Sequence, residues 1–111
     1  MASLSDKTLS QISGAVVRSA DPISVILMGS HSNGSARPDS DIDILVIGEP
    51  SKNKPWNRRR MVGNIRRNLP KIDVPVDVLF FTPAEVTRWR DATNHIIHHA
   101  LTEGVVIYER P

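Results

Sequence analysis

The sequence predicts an α/β domain in which helices pack on a small mixed β-sheet. Three observations carry this expectation. Apolar runs rich in branched residues alternate with segments of helical periodicity, and Gly, Pro and Asn-Gly punctuate them. The order reads helix, strand, turn, strand, helix, strand, helix, strand. Only one or two connections are long enough for a parallel crossover, so parallel and antiparallel pairs must coexist.

Taken in order, residues 4–18 place Leu4, Leu9, Ile12, Val16 and Val17 at helical spacing, with Ser5 or Asp6 as the cap and Asp21-Pro22 as the stop. "ISVILMG" (23–29) is a continuous apolar run, the mark of a buried central strand. Residues 30–40, with Asn33-Gly34 and Arg37-Pro38-Asp39, form a turn or one short helical turn plus a loop. "DIDILVI" (41–47) is a second strand, and 48–55 is loop by composition. Residues 56–69 make an amphipathic helix: at 100° per residue, Met61, Val62, Ile65 and Leu69 fall within about 100°. Arg59, Arg60, Arg66 and Arg67 lie opposite. Gly63 weakens this helix by roughly 1 kcal/mol relative to Ala, and Pro70 ends it. "VPVDVLFF" (74–81) is a third strand, with Pro75 near its start. "TPAE" (82–85) has the form of a capping box. The helix it starts runs to about Asp91, breaks near Thr93-Asn94 and resumes through Leu101. Gly104 closes it, and "VVIY" (105–108) is the last strand.

A chain of 111 residues is enough for one core, so residues 1–111 are expected to form a single domain. No apolar stretch approaches the roughly 18 residues of a membrane helix, and "MASLSDKTLS" lacks the pattern of a secretory signal. With no cysteine, disulfide and thiolate chemistry are excluded, and a reducing cytoplasm is the expected compartment. Net charge is only +2, yet residues 52–71 hold eight of the fourteen Lys and Arg residues and no acid. That makes a local positive face.

The chemistry is carried by acids. Asp41 and Asp43 alternate along a strand, so both point to one face, about 7 Å apart. Like charges this close raise each other's pKa unless a cation intervenes. Oxygen-only ligands without cysteine suit a hard ion such as Mg²⁺, which takes one or two carboxylates plus substrate phosphates. Asp77, between Val76 and Val78, joins the pair if the second and third strands are neighbours. Three carboxylates can hold two ions about 3.5–4 Å apart. Ahead of them, Gly29 ends a buried strand where a missing side chain permits close approach, and Ser30 opens a turn able to hold phosphate oxygens.

Together, "GSHSNGSARPDSDID", with Gly-Ser ten residues before Asp-x-Asp, resembles the signature of the DNA polymerase β-like nucleotidyltransferases. The endings "VDVLFFTP" and "ALTEGVVIYE" look like the minimal nucleotidyltransferase branch, and the resemblance spans residues 23 to 109. It implies a nucleotidyltransferase fold, ATP as the bound nucleotide, two Mg²⁺ ions, and transfer of AMP to a hydroxyl. Carried over by position, Gly29 and Ser30 hold the triphosphate. Asp41 and Asp43 bind metal, and Asp77 completes the second metal site and helps deprotonate the acceptor. Arg37 matches the family's "ARPDSD" run, whereas His31 and Asn33 stand where many relatives have arginines. Bare proteins of this branch resemble the antitoxins paired with helical HEPN-type toxins, which implies adenylylation of such a partner. The alternative is a non-catalytic module that neutralises a toxin by occlusion, and a third reading is regulatory nucleotide or nucleic-acid binding.

Other residues carry blander expectations. His95, His98 and His99, with Asp91, have helical spacing from which a zinc site can be drawn, but an exposed face opposite Ile97, Ala100 and Leu101 is the favoured reading. The arginine face is open to being a solvated surface, a dock for an acidic protein, or, ranked below these for want of interleaved aromatics, a nucleic-acid contact. Trp56 and Trp89 read as packing residues.

Overall fold

A computed structural model describes residues 5–50 and 57–111. Lys52, Lys54 and Trp56, and the expected helix starts at Leu4 and Trp56, lie outside the described residues. Helix α1 (Asp6–Ala20) is capped by Ser5, whose side chain accepts from Thr8 N–H, and it ends on Asp21 in the left-handed conformation (φ 43°). Strand β1 (Ser24–Met28) follows, then the single helical turn α2 (Ser30–Asn33), then strand β2 (Ile42–Ile47). Helix α3 (Arg58–Asn68), capped by Asn57, leads into β3 (Val76–Phe81). Helices α4 (Pro83–Trp89) and α5 (Ile96–Glu103) precede β4 (Val105–Glu109). The expected elements are present. The helix break is longer than "near Thr93-Asn94" implies, because α4 stops at Trp89 and α5 starts only at Ile96.

The four strands lie in the order β3-β2-β1-β4. β1 pairs antiparallel with β2 and β4, while β2 and β3 run parallel, joined by the α3 crossover. The sheet is therefore mixed, as expected. Pro75, which has no N–H, sits just ahead of β3, where its carbonyl accepts from Ile42 N–H at 2.9 Å.

Alternation along the strands divides the core in two. On one face Val25, Leu27, Ile42, Ile44, Val46, Val78 and Phe80 pack with Ile12 and Val16 of α1 and Ile65 of α3. Met61, Val62 and Leu69 extend this cluster, so the apolar stripe expected for α3 is the stripe it buries. The opposite face carries Ile26, Met28, Leu45 and Ile47 against Ile97 and Ala100 of α5, with Val86 and Trp89 of α4 at the margin. Leu101, expected to be buried with Ile97 and Ala100, is 40% exposed. It lies about 40° round the helix from Ile97 on the side away from Ala100, at the edge of the buried stripe.

The capping box at α4 forms as read: Glu85 N–H donates to Thr82 Oγ1 at 3.2 Å, and Thr82 N–H to Glu85 Oε1 at 3.0 Å. Arg58 ties this box to α3, donating from Nε to the Phe80 carbonyl at 2.9 Å and pairing its guanidinium with Glu85. Burial raises the Glu85 pKa, but the Thr82 backbone hydrogen bond and Arg58 outweigh it and hold the carboxyl below its ordinary value. Among the described residues no helix is long and apolar enough to cross a membrane.

Candidate active site

At one end of the sheet β1 finishes while β2 and β3 begin. There Met28, Asp43 and Asp77 lie side by side across three strands, since Met28 is the register partner of Asp43 and Asp43 that of Asp77. Parallel partners point the same way, on the face that α4 and α5 cover only partly. The conditional expectation that β2 and β3 are neighbours is thus met, and the charge of Asp77 acts on Asp43. Asp41 lies just ahead of β2, exposed, and within Coulombic reach of Asp43.

Burial pushes the Asp43 carboxyl above its ordinary value, the charges of Asp77 and Asp41 push it further, and His31 opposes them. Desolvation and like charges both disfavour the ionised form. Asp77, more exposed, has Arg66 of α3 as its nearest cation, Nη2 to Oδ1 at 3.7 Å.

Gly29 meets these acids directly. Its backbone (φ 69°, ψ −151°) lies in a region open essentially to glycine. A Cβ there would stand 2.7 Å from Asp43 Oδ2, too close to exist without a shift. The Gly-Ser turn and the Asp-x-Asp strand, fourteen residues apart at Gly29 and Asp43, are therefore two walls of one place. The loop between them is pinned. Ser32 Oγ donates back to the Gly29 carbonyl at 2.8 Å, and Arg37 N–H to Ser40 Oγ at 2.7 Å. His31 spans from α2 to the Ser40 carbonyl, 3.1 Å from Nε2. A carbonyl only accepts, so Nε2 carries the proton. That leaves Nδ1 buried without a hydrogen-bond partner among the described residues.

The donor set fits a hard divalent cation: carboxylate oxygens of like charge, under mutual repulsion, beside a backbone left open by glycine. Among the described residues no group of three or more His, Asp or Glu side chains closes into a ready-made metal cage. Mg²⁺ characteristically needs only one or two carboxylates and completes its shell with water and substrate phosphates.

The histidines of α5 do not converge. His95 caps the helix, its Nδ1 accepting from Ile97 N–H at 3.1 Å, and its ring stacks on Trp89 at 4.7 Å. His98 Nδ1 lies 2.8 Å from the Arg90 carbonyl, and His99 pairs with Glu103 at 3.4 Å. His95 is thus a structural cap rather than part of an exposed face. Trp89 packs as expected.

Sequence reasoning missed a cleft of about 440 Å³ that opens beside Gly29. Ser32 and Asn33 of α2 form one wall, and Ile96, His99 and Glu103 of α5 the other. The one local signal was the i, i+4 spacing of His99 and Glu103, which puts both on the same side of a helix.

Comparison with known proteins agrees with this fold. The family model for the nucleotidyltransferase domain matches residues 9–100. Among solved structures, a Sulfolobus solfataricus protein provisionally described as a nucleotidyltransferase superposes with a TM-score of 0.63 at 22% identity, covering 95% of this chain and 80% of that one. A toxin–antitoxin structure with AMP-PNP superposes with a TM-score of 0.56 at 21% identity, covering 96% and 75%. Identities this low speak to the fold. No curated protein matches.

Proposed function

The chain belongs to the nucleotidyltransferase domain family, and from that premise we propose that it transfers AMP from ATP, with Mg²⁺, to a hydroxyl of a protein partner. The partner class implied by the sequence resemblance is a HEPN-type toxin, so that the chain acts as an antitoxin in the cytoplasm. The toxin–antitoxin neighbour with AMP-PNP supports this reading. The observation that carries it is that a Cβ on Gly29 would stand 2.7 Å from Asp43 Oδ2, in a strand whose register sets Asp77 beside Asp43.

Each residue then has a task. Gly29 lets a triphosphate approach the backbone, and the Ser30 hydroxyl donates to a phosphate oxygen. Asp41 and Asp43 would hold the first Mg²⁺, and Asp77 would complete the second site. Bound Mg²⁺ would supply neutralisation of the charge on the α-phosphate and on the departing pyrophosphate. The acceptor oxygen forms a bond to the α-phosphorus while the bond to the β-phosphate bridge oxygen breaks, and pyrophosphate leaves with that electron pair. The acceptor proton passes to an Asp77 carboxylate oxygen and on to solvent. Beyond this, positioning suffices, because phosphoryl-type transfer asks little covalent work of a protein.

The test incubates the pure protein with ATP labelled at the α-phosphate, Mg²⁺ and the product of the neighbouring gene. Label is expected on that protein, with a drop of at least about 10²-fold for Asp41→Ala with Asp43→Ala. If the double variant still neutralises the partner, occlusion without turnover replaces the transferase reading.

A further inference from the structure

Helix α3 places its charge where helix stability alone would not. Arg58, Arg59 and Arg60 occupy its first turn, which holds no acid, so three cations sit at the positive end of the helix dipole. Arg58 is compensated by Glu85. Arg59, Arg60 and Arg67 are exposed and have no ion pair among the described residues. Arg59 and Arg66 are seven residues apart, hence within about 20° of one another around the helix, as are Arg60 and Arg67. They make two parallel rows, each about 10 Å long. One row ends at the candidate site, because Arg66 is the residue that reaches Asp77 at 3.7 Å.

We propose that this arginine face docks an acidic, hydroxyl-bearing protein segment and presents its hydroxyl to Asp77. The proposal rests on the transferase reading, in which Asp77 takes the acceptor's proton. Charge complementarity selects the occupant: spaced carboxylates can pair with spaced guanidinium groups, as in electrostatically steered docking. A continuous polyanion fits less well. Asp77, Asp43 and Asp41 stand at the end of the row, and α3 offers no aromatic side chain on which bases could stack. Arg66 is the joint between docking and chemistry, a positioning residue shared between Asp77 and the incoming acceptor.

Binding is measured by fluorescence anisotropy on the full chain, in EDTA and without ATP, so that failure of docking and failure of catalysis separate. The probe is a random glutamate–tyrosine copolymer, with total tRNA as the competing arm. The copolymer is expected to bind, and Arg59→Glu with Arg60→Glu and Arg67→Glu to weaken it about tenfold or more, the sum of three exposed pairs. Acids at positions 59 and 60 in the first turn suit the helix dipole and offset the acid that Arg67→Glu puts in the last turn, so the variant is expected to keep its cooperative melt. Arg59→Gln with Arg60→Gln, which removes charge without reversing it, gives a smaller loss of the same sign. With ATP and Mg²⁺ added, labelling of the copolymer by these variants is expected to fall through KM with kcat retained. Copolymer binding that is absent, or unchanged in both variants, overturns the proposal. So does tighter binding of tRNA that the same substitutions abolish.

Discussion

The two faces of one small sheet are built to different ends. The face under α1 and α3 is uniformly apolar, and seven of its described residues form one buried cluster with Ile12, Val16 and Ile65 of the helices. The face under α4 and α5 contributes four to its cluster, beside Ile97 and Ala100 of α5, leaves Leu79 at 38% exposure, and places Asp43 and Asp77 side by side at its open end. On the first face every side chain contributes transfer free energy, roughly 25 cal/mol per Å² of apolar area. On the second, a half-buried carboxyl is held above its ordinary pKa by desolvation and by two like charges. The difference teaches where stability and chemistry reside. The strained end is tolerable because the opposite face supplies the cohesion.

Three tests break or sharpen that contrast. The largest effect is expected from Phe80→Ala on the packed face, where the side chain is 1% exposed. Unfolding in urea should show a loss of about 3–5 kcal/mol, against under about 1 kcal/mol for Leu79→Ala, its neighbour on the other face. Equal losses from the two would erase the distinction between the faces.

Gly29→Ala comes next. The backbone at φ 69° and the 2.7 Å approach to Asp43 Oδ2 should together cost about 1–3 kcal/mol in thermal or chemical unfolding. AMP transfer is expected to fall further than the lost folded fraction explains. A variant with wild-type stability and wild-type transfer would show that the close approach has no consequence.

The smallest effect has the opposite sign. In metal-free protein Asp43→Asn should raise the melting temperature at neutral pH by no more than a few degrees, while removing a proposed metal ligand. The folded carboxyl titrates above its ordinary value, so the native state binds the proton more tightly than the unfolded chain. Its contribution to stability is full below the unfolded pKa of about 3.9 and is lost as pH rises through the raised folded value. The advantage of the variant should therefore vanish in acid and grow toward neutrality, which differential scanning calorimetry against pH would reveal. An advantage that grew toward acid would reverse the assigned cause. Glu85 behaves conversely. Its depressed pKa contributes stability above the ordinary carboxylate range, lost as pH falls through the folded value, so the comparison must be made between variant and parent.

Much of the fold was legible because the signals were local. Thr82, Pro83 and Glu85 form a capping box within four residues, so their geometry needs no partner from elsewhere. The α3 stripe of Met61, Val62, Ile65 and Leu69 follows from periodicity alone. Gly29 and Asp43 were legible as a pair through the spacing of a resembled motif, and the structure sets them so close that a Cβ on Gly29 would stand 2.7 Å from Asp43 Oδ2. His95 was misread because a histidine at helical spacing and one that caps the helix look alike in one dimension. Only the fold brings Trp89 under its ring.

By itself the sequence determined the elements, their order, the apolar face of each and the residue types able to hold phosphate and metal. All of these are set by short-range sterics, periodicity and side-chain chemistry. The tertiary structure decided which faces meet: the Asp43 and Asp77 register, the reach of Arg66 to Asp77, the pinning of Ser40 by His31, and the α5 wall of the cleft beside Gly29. Periodicity says which side of a helix or strand is apolar. It does not say which distant segment will cover it, because that choice belongs to the packing of the whole core.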